Sequence, residues 1–152
     1  MQDVAAGLPA ACAKLAAFGL PETIQHDDFH DGQVFVRDGR SRFLDWGDSC
    51  VSHPFFTLTV TLRAISARFE LQPAAPELTR LRDVYLEPWT VFAPRGDLVP
   101  AAELARRVGQ VCRALSWHRF TSCYRRDPRE SDAVPLSLRL VIEPEAWRDA
   151  TD

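Results

Sequence analysis

Val4, Leu8, Cys12, Leu15 and Phe18 recur every three or four positions, a pattern that predicts an amphipathic helix at the start of the chain. Gly7 and Pro9 weaken its first turn, and Gly19 and Pro21 supply stop signals. The periodicity then changes. Val34–Arg37 and Arg42–Leu44 are short strand-like runs joined by Asp38-Gly39, a dipeptide suited to a tight hairpin turn. A polar loop follows from Asp45 to Pro54, a residue tolerated in the first turn of a helix. Phe55, Leu58, Leu62, Ile65 and Phe69 restore the helical spacing. The alternation within Thr57–Leu62 also fits a strand, but the longer repeat favours a buried helix. Leu78, Leu81, Val84 and Tyr85 predict a helix ending near Pro88, and Leu104, Val108, Val111 and Leu115 predict another that runs toward Trp117. Leu136–Ile142 fits either helix or strand. With Pro73–Pro76 and Ala93–Pro100 read as linkers, the order is helix, β hairpin, then helices. The expected class is α+β, mostly helical, with residues 1–152 forming one domain.

Composition narrows this little. A chain of 152 residues with 46% apolar and 26% charged residues is an ordinary globular sequence with room for one core. No apolar run approaches the length of a membrane span, and the acidic start Met1-Gln2-Asp3 does not read as a secretory leader. Cys12, Cys50, Cys112 and Cys123 are scattered, unlike a zinc ribbon or redox pair, and fit reduced thiols in the cytoplasm.

Charge distribution changes the picture more. Between Glu22 and Asp48 stand seven carboxylates and three arginines, whereas from Thr61 onward fourteen basic residues face thirteen acidic ones. A nucleic-acid binder concentrates positive charge on one face. This chain concentrates negative charge in one segment instead, which points to metals or cationic ligands and away from nucleic acid and membrane.

The acidic segment reads His26-Asp-Asp-Phe-His-Asp-Gly-Gln-Val-Phe35. Asp28 and Gln33 stand five apart, and Asp45-Trp46-Gly47 follows at the end of the second strand-like run. An Asp with an amide five residues later, then a strand pair ending in an Asp, is the order of the catalytic and metal-binding loops of protein kinases. Phosphoryl transfer to an alcohol uses these types for physical reasons. A carboxylate orients the hydroxyl and takes its proton, and hard oxygen ligands hold the magnesium that bridges the nucleotide phosphates.

Residues 24–58 resemble the aminoglycoside phosphotransferase and choline kinase-like family more closely than protein kinases. That family typically shows His-Gly-Asp-Leu-His-x-x-Asn followed by Leu-Ile-Asp-Trp, and His26, Asp28, His30, Leu44, Asp45 and Trp46 fall on those positions. The resemblance implies the C-terminal lobe of a protein kinase-like fold and ATP-dependent phosphoryl transfer to a small-molecule hydroxyl, with an aminoglycoside-like cationic acceptor among the candidates. It implies Asp28 as the catalytic carboxylate, His26 as a structural residue of the catalytic loop, and His30 near the floor of the nucleotide site. Asp45 and Gln33 are the implied ligands of Mg²⁺, Gln33 standing one methylene longer than the family's Asn. No Gly-rich phosphate loop is present, and Lys14, the only lysine, lies on the first helix. The N-terminal nucleotide lobe is therefore expected to be missing from this sequence, or supplied by a partner.

Two other readings compete. One is a non-catalytic lobe that binds a ligand or partner. The other takes His26, Asp28, His30 and Asp45 as a transition-metal hydrolase site. The blander expectations are that His53 caps the turn before Pro54, that Cys50 is a buried inert thiol, that Phe55-Phe56 is core, and that Trp89, Trp117 and Trp147 are packing residues.

Overall fold

The structure, a computed structural model, describes residues 2–123 and 132–142. Helix α1 spans Gln2–Ala16 and ends as expected, with Gly19 in the left-handed region. Strand β1 (Thr23–Gln25) leads into the acidic loop. The expected hairpin forms from β2 (Val34–Arg37) and β3 (Arg40–Phe43). Asp38 and Gly39 take φ of 53° and 70° in its turn, the left-handed pair that lets a two-residue connection follow the strand twist.

The segment expected to be a polar loop contains a further strand, β4 (Cys50–Ser52), antiparallel to β1 with Ile24 opposite Val51. Three-residue strands carry too little periodicity to be read from sequence, and this pair is held by tertiary context. The two small antiparallel sheets and the helices make the chain α+β and mostly helical.

A 3₁₀ turn at Pro54–Phe56 enters α2 (Thr57–Arg68), so the helical reading of this segment holds. The alternation that mimicked a strand has another origin. The hydroxyls of α2 bind neighbouring segments: Thr61 Oγ1 lies 2.9 Å from the Phe29 carbonyl, and Thr57 Oγ1 donates to Gln25 Oε1 at 3.2 Å. β-Branched residues are thus placed in a helix because their oxygens tie it to the acidic loop.

Helix α3 (Pro76–Leu86) is followed by a 3₁₀ segment over Glu87–Val91. Helix α4 runs from Arg95 to Cys123. It starts inside the stretch read as a linker, because Pro100 lies near its first turns, where few intrahelical bonds are lost. Over Ala133–Ile142 the ambiguous segment is helix α5, packed on α4.

The core gathers Leu15, Phe55, Leu58, Leu62, Leu78, Leu86 and Leu98 around Ala101, Ala102 and Ala105. The alanines let α4 approach its neighbours closely. Gly109 extends this contact, since a Cβ there would meet Thr59 Oγ1 at 2.5 Å. Phe55 is fully buried, Phe56 and Trp89 pack against the core, and Trp117 packs on Phe120 and Arg113. Trp147 lies outside the described residues.

Candidate functional site

The acidic loop leaves β1 and turns at once. Gln25, His26 and Asp27 are buried, and Asp27 takes φ 64°. The family pattern has Gly here, which accepts this left-handed backbone freely, whereas a residue with a Cβ needs local compensation. Asp27 has it. Its N–H donates to Gln25 Oε1 at 2.9 Å, and its carboxylate accepts from Gln25 Nε2 at 3.3 Å and from Ser116 Oγ at 2.7 Å.

Asp28 follows, less than a third exposed. Arg113 of α4 donates from Nη2 to Asp28 Oδ1 at 2.6 Å, while its Nη1 lies 3.8 Å from Asp27 Oδ2. Arg63 of α2 lies near the same charges. Burial and the Arg113 guanidinium hold Arg63 below the ordinary arginine range, and Asp28 acts in the opposite sense. Two carboxylates beside one another are thus compensated by two guanidiniums. Cys112, one position before Arg113, has its thiol pushed up to about 11 by burial, with Asp27 adding to the shift. It is a protonated, inert thiol at neutral pH.

The other oxygen of Asp28, Oδ2, faces His30 Nε2 at 3.9 Å. His30 Nδ1 accepts the Gly32 N–H at 3.1 Å, which leaves the proton of a neutral ring on Nε2. Gln33 Nε2 lies 3.4 Å from His30 Nε2 and donates to Asp45 Oδ2 at 3.2 Å. His30 and Gln33 thus lie between Asp28 and Asp45, with the hydrogen bond of this stretch running from Gln33 to Asp45; the ring and amide nitrogens, both donors, meet at 3.4 Å without bonding.

The hairpin end is set by backbone contacts. Leu44 N–H donates to the Gln33 carbonyl at 2.9 Å, and His26 Nε2 donates to the Leu44 carbonyl at 2.6 Å. A carbonyl only accepts, so His26 carries its proton on Nε2. Its ring packs against Trp46, with centroids 4.9 Å apart and planes tilted by 51°, and Trp46 Nε1 donates to the Phe43 carbonyl at 3.0 Å. His26 thus acts as a strut between loop and hairpin. Asp45 itself takes φ 59° and is exposed.

The match to known families covers residues 1–94 and is to the Phosphotransferase enzyme family. The chain belongs to that family. No curated protein and no solved structure matches it.

Family membership gives the donor set its meaning. Asp45 offers a carboxylate and Gln33 an amide, which presents its nitrogen to Asp45 and its oxygen after a half-turn about the last torsion. Among the described residues no three His, Cys, Asp or Glu side chains gather as a metal cluster. Magnesium does not need one: it is usually held by one or two protein oxygens, with waters and substrate phosphates completing its shell. Hard oxygen donors from Asp45 and Gln33 fit that habit. The hydrolase arrangement does not form, because the imidazole Nε2 of His26 is committed to Leu44 and lies apart from any cluster with Asp28, His30 and Asp45.

Asp31 and Asp48 are exposed, Asp31 lying 3.8 Å from Arg68. His53 caps the 3₁₀ turn, its Nδ1 accepting from Phe55 N–H at 3.2 Å. Cys50 corrects an expectation. It is exposed rather than buried, because β4 lies at the edge of a two-stranded ribbon, and its sulfur accepts from Gln25 Nε2 at 3.2 Å. Sequence reasoning missed Gln25, Asp27, Arg63, Arg113 and Ser116. The one visible signal was a doubled aspartate where the family pattern has a single one after glycine. Among the described residues no helix is long and apolar enough to cross a membrane.

Proposed function

We propose that this phosphotransferase-family chain moves the γ-phosphoryl group of ATP to the hydroxyl of a small molecule, with Asp28 as the carboxylate that orients the acceptor. The observation that supports this most is the state of Asp28: one oxygen is bonded to Arg113 and the other is free to receive a hydroxyl proton on the side that faces His30. His30 and Gln33 fill the space between Asp28 and Asp45, so the acceptor end and the metal end adjoin. Magnesium, when bound at Asp45 and Gln33, neutralises the nucleotide phosphates. The chain's own part is to hold the acceptor oxygen in line and take its proton at Asp28 Oδ2. His26 serves by keeping the hairpin end against the loop, and His30 lies on the path between the two carboxylates.

Exposed Asp31 and Asp48 favour an acceptor that carries positive charge. On and just beyond the hairpin, Phe35, Val36, Leu44 and Trp46 are exposed. Large apolar side chains left open on a small hairpin favour cover by a nucleotide-binding lobe, which reads this chain as the C-terminal lobe of a kinase-like fold and a partner or further segment as the source of the other. The same exposed side chains are what favour the second reading, a lobe that binds a ligand or partner without transferring phosphate. ATP and magnesium as co-substrates suit a cytoplasmic protein.

The test is incubation of the full chain with Mg²⁺, ATP and a panel of amino-alcohol, aminoglycoside and sugar acceptors, read by mass spectrometry for a gained phosphoryl group. Transfer that Asp28→Ala abolishes is the expected result. No phosphorylated product with any acceptor, together with intact ligand or partner binding, would establish the non-catalytic reading instead.

A further inference from the structure

Helix α4 contributes nothing to the loop and hairpin motifs, yet it reaches the acidic loop with two side chains. Arg113 is 6% exposed and Asp27 is equally buried at 6%. The guanidinium sends Nη2 to Asp28 Oδ1 at 2.6 Å and holds Nη1 at 3.8 Å from Asp27 Oδ2, while its face is covered by the Trp117 ring at 5.1 Å. Ser116, one turn along, donates to the same Asp27 oxygen at 2.7 Å. A planar fork with several fixed donors holds two carboxylates in a set relation, which an ammonium with rotatable donors on a flexible stem does far less rigidly.

We propose that Arg113 is a positioning residue for Asp28, acting in a clamp with Asp27 and Ser116 through which α4 sets the conformation of the acidic loop. The inference rests on the reading of Asp28 as the acceptor-orienting carboxylate and adds how that carboxylate is aimed. With Oδ1 engaged, the carboxylate cannot turn freely, and Oδ2 alone is presented beside His30. The left-handed backbone at Asp27 is held in place because its side chain is anchored at Gln25, Ser116 and Arg113. A carboxylate at this position thus does by anchoring what a glycine does by conformational freedom.

A structural ion pair and a positioning residue differ in what their removal changes. The experiment compares the full chain with Arg113→Lys, Arg113→Ala and Ser116→Ala by amide hydrogen exchange and by phosphoryl transfer. Arg113→Lys keeps a buried positive charge and guards against a variant that simply fails to fold. In the exchange arm, the Asp27 and Gln33 amides, which are hydrogen-bonded in the loop, should exchange about tenfold faster in Arg113→Lys, with amides of α2 unchanged. In the transfer arm, kcat should fall on the order of 100-fold in Arg113→Lys, as for a misplacement near 1 Å, with KM for ATP unchanged. Millimolar guanidinium, and not methylammonium, should restore part of the activity of Arg113→Ala. Ser116→Ala should show the same pattern, smaller. Loop exchange equal to wild type in Arg113→Lys overturns the clamp whether or not the chain is active. So does kcat within twofold of wild type, or a loss that follows only the unfolded fraction. Faster loop exchange in Arg113→Lys, where the wild-type chain itself transfers no phosphate to any acceptor, leaves the clamp standing and overturns the functional reading instead.

Discussion

Asp28 and Asp45 are both carboxylates on loops flanking one short hairpin, yet they are held in opposite ways. Asp28 and its neighbour Asp27 are pinned from below by Arg113 and Ser116, with Gln25 beside them and α2 hydroxyls underneath. Asp45 stands in the open with one side-chain partner, the amide of Gln33. The side proposed to orient the acceptor is anchored to the folded interior through Asp27 and Arg113, and the side proposed to hold the metal is a surface feature. The difference follows from the chemistry proposed for each. A group that must aim at a hydroxyl gains from being preorganised, whereas a metal ligand shares its ion with nucleotide phosphates and water and needs no burial to do so.

The sharpest way to break this comparison is to remove each carboxylate in turn. Asp27→Ala should destabilise the fold by about 1–3 kcal/mol, because it removes one counter-charge of Arg113 and the buried acceptor shared by Ser116 and Gln25. Asp45→Asn, which removes the charge and keeps a side chain that tolerates the left-handed backbone, should change stability by less than about 0.5 kcal/mol. Urea denaturation of both variants measures the contrast, and equal costs would show that the two sides are held alike.

Acid probes the buried side by a separate route. His53 caps the turn that leads into α2, with its ring against Phe55 and Phe56, and burial lowers its pKa from 6.5 to about 4. Between those values the unfolded chain takes up a proton that the folded chain refuses. Stability should therefore fall as the pH drops from about 6.5 to about 4, by roughly 3 kcal/mol at most for a shift of this size. His53→Asn keeps an oxygen to cap the turn and should flatten that part of the stability profile. A profile as steep as wild type would assign the loss to other groups.

The smallest effect on stability belongs to Gln33. Gln33→Asn restores the shorter amide of the family pattern and should leave stability within about 0.5 kcal/mol, since the side chain sits at the open end of the site. Affinity for magnesium–ATP should rise, because magnesium tolerates little departure from its preferred ligand distance. Titration calorimetry of both proteins reads this directly, and equal affinities would mean that the longer side chain already reaches.

Much of this was legible along the chain. The alternation about Asp38-Gly39 specified the hairpin, the three-and-four spacing specified α1 through α4, and the order of His26, Asp28, His30, Gln33, Asp45 and Trp46 marked the family. Such features are local: a turn dipeptide or a helical repeat carries its own physical preference, and residues on either side of a two-residue turn cannot move far apart. The β1–β4 ribbon was not legible, because Thr23–Gln25 and Cys50–Ser52 are too short for a pattern and pair across the whole acidic loop. The length of α4 was hidden by Pro100, which reads as a breaker until its place near the helix start is known.

The sequence by itself determined which carboxylates the loop and hairpin would carry and how far apart they could lie, because short-range spacing constrains short-range geometry. Only the tertiary structure decided which of them would be held. Arg113 lies 85 positions from Asp28 and Ser116 lies 89 from Asp27. Nothing local distinguishes that arginine from the others in a chain whose basic residues are nearly all arginine. Its partner is set by the packing of α4 against α2, where Gly109 meets Thr59 and brings the helix close enough for one guanidinium to reach two aspartates.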